Sequence, residues 1–114
     1  MTKPITFVAI FSLACLGGLP LAHADDATAP VTLTLENHHF SPAEITIPAN
    51  TRVEFDVTNQ DATPAEFESD DFSAEKVLPA GQPVKVTVGP LKPGTYEFHD
   101  EYNEDASKSR LIVE

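Results

Sequence analysis

The sequence predicts an all-β protein, a small Greek-key β-sandwich of seven or eight strands forming one domain over residues 25–114. Three observations carry that prediction. Apolar and polar residues alternate with a period of two through most of the chain, which is the pattern of half-buried strands. No helical repeat of comparable strength interrupts them. Turn chemistry punctuates the segments at Ser41-Pro42, Pro48-Ala49-Asn50, Thr63-Pro64, Pro79-Ala80-Gly81, Gly89-Pro90 and Lys92-Pro93-Gly94, where Pro presets φ and Gly or Asn accepts a positive value.

Taken in chain order, residues 1–24 read as a secretory signal peptide. Lys3 supplies the positive n-region, Ile5 to Leu16 the apolar region, and Ala22-His23-Ala24 the small-x-small cleavage signature, so the exported chain begins near Asp25. The apolar run falls short of the roughly 20 residues that a spanning helix needs, so no membrane insertion of the mature chain is expected. Cys15 admits a second reading as a lipid-bearing cysteine, but Ser12 stands where that cleavage box prefers Leu.

The strands follow. Val31-Leu33-Leu35 gives one apolar face, Ile45-Ile47 a second and Val53-Phe55-Val57 a third. Val84-Val86-Val88, Tyr96-Phe98 and Leu111-Ile112-Val113 continue the rhythm. If 31–37 runs upward, 44–48 returns and 51–58 climbs again, so the loops 38–43 and 59–66 emerge at one end. Pairing 83–88 with 94–99 as a further hairpin brings Asp100 to Ser109 to the same rim, where His38, Glu66 and Asp100 converge.

Composition narrows the function. Eighteen acidic residues face seven basic ones, a net charge of −11, and the leader removes one further positive charge, Lys3. Such a surface repels nucleic acid and anionic membrane and favours cations or basic protein faces. Cys15 and Met1 are the sole sulfur residues and both precede residue 25, so the mature chain has no disulfide and no thiol chemistry.

Four segments carry a family resemblance: Asn37 to Ile45, Asn59 to Ser69, Glu75-Lys76-Val77, and Gly89 to Phe98. Together they resemble the cupredoxin-like periplasmic domain related to the N-terminal module of EfeO-type iron-uptake proteins and to stand-alone partners of bacterial ferrous-iron permeases. The resemblance implies a cupredoxin sandwich, periplasmic localisation, and a role near iron or copper. It also implies departures. The ligand arrangement Cys-x-x-His-x-x-Met of copper-carrying members falls on Asp100, Asn103 and Ala106, and their first His falls on Glu66. Without a Cys thiolate and an axial Met, no type 1 blue copper centre is expected. The iron-related members commonly keep a His where this chain has Asn103.

The resemblance makes His38 and Glu66 the principal metal ligands, with Asp100 and Glu101 completing the site or focusing its field, and His99 as an additional ligand. Neighbouring residues at a strand end point opposite ways, so His39 is assigned to the surface. Glu68, Asp70, Asp71 and Glu75 form an acidic rim. An oxygen-rich set with one or two imidazoles suits iron, manganese or a non-blue divalent copper. No nucleophile with a partnered base and no phosphate loop is present, which disfavours an enzyme. The expected function is periplasmic metal handling, with delivery of iron or copper to an inner-membrane iron permease or another periplasmic uptake component. A metal-free acidic module docking a basic partner, and an accessory ferrous-iron oxidase, are the alternatives.

Overall fold

Nine strands follow one another in the computed structural model, which describes residues 27–114. The leader expected over 1–24, with Cys15 and the cleavage point near Ala24, lies outside the described residues. The strands are β1 (Thr28–Glu36), β2 (His39–Ser41), β3 (Glu44–Ile47), β4 (Arg52–Asn59), β5 (Ala65–Ser69), β6 (Ala74–Leu78), β7 (Pro83–Val88), β8 (Gly94–Asp100) and β9 (Ser109–Val113). A 3-10 turn at Glu101–Asn103 and a single helical turn, α1 (Glu104–Ser107), join β8 to β9.

Two sheets result, one ordered β2-β1-β4-β7 and the other β3-β9-β8-β5-β6. This is the all-β sandwich read from the period-two pattern, with nine strands rather than seven or eight. β1 and β4 run the same way, as the count of strand directions requires, and pair side by side. The hairpin between 83–88 and 94–99 does not form: β7 pairs with β4 in one sheet, and β8 pairs with β9 and β5 in the other. The connection at 89–93 carries the chain between layers. Its two prolines cannot donate to a ladder. Gly89 turns at φ +90, where a Cβ would stand 3.0 Å from the Leu91 nitrogen.

The core lies between the inward faces. In β4 the alternation is complete, with Val53, Phe55, Val57 and Asn59 buried and the residues between them half-exposed. Phe55, Phe67 and Phe98 are fully buried. Phe98 stacks on Phe67 within its own sheet at 5.3 Å between ring centroids, and joins the other sheet through an edge contact with Phe40 at 5.4 Å and a tilted one with Phe55 at 5.7 Å.

One end of the sandwich is laced by polar side chains. Asn59, fully buried, donates to the carbonyls of Thr63 and Leu78 and accepts from the Asp61 amide. Asp61 in turn accepts the backbone N–H of Asn37 at 2.7 Å and of His38 at 3.0 Å. Those two residues have φ of 54° and 65°, a left-handed pair that leaves both N–H groups outside any ladder. The loops after β1 and β4 therefore meet at one rim, and the segment after β8 joins them through Asp100.

Candidate metal centre

Ladder register builds a row of ionisable groups on the outer face of the five-stranded sheet. Glu68 in β5 is the cross-strand partner of Glu75 in β6 on one side and of His99 in β8 on the other. Side chains two apart in a strand share a face, so Glu66 joins this surface from β5, and Glu101 joins it from the 3-10 turn that follows β8. Two groups result among the described residues, Glu68 with His99 and Glu101, and Glu66 with Glu68 and Glu75. Within each group the ligand atoms lie within 4.8 Å of one another. Glu68 belongs to both.

The first group is the better defined. His99 Nε2 stands 3.0 Å from Glu101 Oε1 and 3.8 Å from Glu68 Oε2. The His99 and Glu68 side chains are 12% and 15% exposed, and Glu101 is 43% exposed, so two donors are set into the surface and the third covers them. Depressions of about 300 Å³ and about 100 Å³ flank the row. Glu68, Asp70 and Glu75 help line the first, and Asp71, Glu97 and His99 the second. Burial, followed by the Glu101 and Glu75 carboxylates, pushes the Glu68 carboxyl up to about 7. Like-charged groups set opposite one another disfavour ionisation, and a cation among them restores it.

Two residues of the expected ligand set are engaged elsewhere. Asp100 is fully buried. Its Oδ1 accepts the N–H of Glu66 at 3.0 Å and of Tyr102 at 3.1 Å, and its Oδ2 accepts Asn103 Nδ2 at 3.1 Å. His38 lies at the turn after β1, 46% exposed, with Nδ1 3.6 Å from Asp61 Oδ2. Partial burial works to raise the Asp61 carboxyl, but the two backbone N–H groups and the His38 ring together hold it below its usual value. Of the expected ligands, the structure thus gathers His99 and Glu101, links Glu66 to them through Glu68, and leaves His38 and Asp100 in neither group.

Glu68 and Glu75, assigned from sequence to an acidic rim, are the residues that connect the cluster. Ala74 to Leu78 does not alternate, its Glu75, Lys76 and Val77 all being exposed, but the alternation of Ala65 to Ser69 was readable. The pairing of β5 with β8 was not, since it joins residues about thirty apart.

The family model for the cupredoxin-like domain matches residues 6–113. An uncharacterized protein of Rickettsia prowazekii (strain Madrid E) is 30% identical over 115 residues, spanning 97% of this chain and 92% of its own length. Auracyanin A, a "blue" copper protein from Chloroflexus aurantiacus, superposes with a TM-score of 0.68 at 15% identity, over 77% of this chain and 100% of that one. The metal binding domain of the Streptococcus pneumoniae D39 Cu(I) exporting P-type ATPase, solved with Cu(I), gives a TM-score of 0.66 at 13% identity, over 77% and 87%. At these identities the two solved structures establish likeness of fold.

Proposed function

The chain belongs to the cupredoxin-like domain family, and from that premise we propose that it is a periplasmic metal-binding protein that handles iron through an oxygen-rich surface site. One observation supports this reading above the rest. Glu68, His99 and Glu101 bring two carboxylates and one imidazole together, with Glu66 and Glu75 adjoining.

The copper of the solved neighbours sets the contrast. Residues 27–114 contain neither Cys nor Met, and the buried Asp100 carboxylate accepts three internal hydrogen bonds. Soft sulfur ligation selects copper(I) and gives blue-copper sites their redox behaviour, so a type 1 centre does not fit these residues. Carboxylates with one imidazole suit ferrous or ferric iron, manganese, or a non-blue copper(II). Within that range the resemblance to EfeO-type and permease-associated domains favours iron, received or passed on beside an inner-membrane permease. Periplasmic localisation rests on the leader-like residues 1–24. No helix among the described residues is long and apolar enough to cross a membrane.

Metal analysis of protein purified from the periplasm, followed by titration of the chelator-stripped form with ferrous, ferric and cupric ions, tests the proposal. Saturable iron binding is expected. Absence of any saturable binding tighter than about millimolar, the regime of weak exported cation modules, ends it. The acidic-module alternative draws on the same carboxylates. Partner binding that weakens with salt and ignores chelators would favour it.

A further inference from the structure

We propose that Asp100 is an internal clasp for the rim, a buried carboxylate that does with hydrogen bonds what a bound ion would otherwise do, so that these loops keep their shape without metal. A carboxylate out of water must find donors, because it only accepts. Asp100, with no exposed surface, finds three. They come from the first residues of β5, from the 3-10 turn, and from the Asn103 side chain. Glu66 lies 34 residues away in sequence, so its bond ties two distant rim segments together.

The main chain of Asp100 is held as firmly. Its N–H donates to Ser107 Oγ at 2.6 Å, and Ser107 Oγ also contacts the carbonyls of Asn103 at 2.8 Å and Asp100 at 3.3 Å. Ser109 Oγ then donates to the Ser107 carbonyl at 2.9 Å. Residues 100–109 are thereby closed on themselves before β9 begins.

The same donors decide what the place can hold. Three N–H groups turn their positive ends toward Asp100, which stabilises the carboxylate and opposes a cation arriving from that side. Asn103 binds Asp100 directly. In the resemblance, positions 66, 100 and 103 are metal-ligand places; here they are joined to one another by hydrogen bonds. This inference stands apart from the outer-face cluster and holds whether or not that cluster takes an ion.

Amide hydrogen exchange at Glu66 and Tyr102, followed by NMR on the purified protein, provides the test. In wild type, chelator-treated and copper(II)-loaded samples should exchange these two amides at rates within about twofold of each other. Asp100→Ala should speed both by about tenfold or more while the β4 amides of Phe55 and Val57 keep their protection, as expected for loss of a local clasp. Should Asp100→Ala unfold the whole sandwich, Asn103→Ala decides. It removes one bond from a half-exposed side chain and should speed Tyr102 several-fold with β4 unchanged. Wild-type rates at both amides in Asp100→Ala, or in Asn103→Ala at Tyr102, overturn the proposal. So does a copper-induced slowing of both amides in wild type by about tenfold or more.

Discussion

His99 faces Glu68 across the β5–β8 ladder, and Glu101 closes on the same His99 nitrogen at 3.0 Å. One nitrogen therefore has two carboxylate neighbours, a donor set suited to a metal ion. His99→Ala and Glu68→Gln should each weaken iron(II) or manganese(II) binding by about tenfold or more, the scale on which even supporting residues of metal sites act. His38→Ala, whose ring sits beside Asp61, should leave affinity within about twofold of wild type. Anaerobic isothermal titration checks both, and equal losses in all three variants would remove the outer-face assignment.

The Glu68 carboxyl predicts a pH dependence with a definite sign. Its folded value, about 7, lies above the ordinary carboxyl value of 4.5, so the folded state binds more protons between those two limits. Stability of the metal-free protein therefore falls as pH rises from about 4.5 to about 7 and levels off above. Thermal melts across that range should show the decline, and Glu68→Gln should flatten it.

Replacing Glu75 by Gln separates repulsion from ligation. The substitution removes one of the two carboxylates that disfavour Glu68 ionisation. The metal-free melting temperature at pH 8 should rise while cation affinity falls. Opposite movement of these two readouts is the signature; a parallel fall in both would mean that Glu75 acts through packing.

Asp61 acts with the reverse sign. Its folded carboxyl lies below the usual value, so its contribution is present above the ordinary carboxylate range and is lost as pH falls through the lowered value. Asp61→Ala releases the N–H groups of Asn37 and His38 and should cost about 1–3 kcal/mol by urea denaturation. The loss should shrink toward pH 2.

Phe98→Ala tests the core. The side chain is fully buried among Phe40, Phe55, Phe67 and Phe72, and truncation should cost about 3–5 kcal/mol. A melting shift smaller than about 4 °C would show that the four rings close over the vacated space.

The sandwich was legible because its signal is local. Val31, Leu33 and Leu35 alternate with polar neighbours in β1, and Val53, Phe55 and Val57 do so in β4, whichever strands they later join. The meeting of the rim loops was legible for the same reason, since strand directions can be counted. What sequence could not supply was which strands share a sheet. The step at 89–93 was read as a hairpin turn, but it crosses between layers, and the row Glu75-Glu68-His99 exists only through that rearranged order. Asp100 was visible as a carboxylate at a ligand place. Its donors at Glu66, Tyr102 and Asn103 depend on loop geometry that no periodicity records.

The placement of β1 and β9 has a consequence for how the chain acquires its shape. Each is an inner strand, β1 between β2 and β4, and β9 between β3 and β8. The four-stranded sheet needs β1 at its centre, and the five-stranded sheet is not continuous until β9 has arrived. A polypeptide that lacks residues 109–113 leaves β3 without a ladder partner and β8 open along one side. Assembly is therefore governed by long-range encounters and should be slow for a domain of this size.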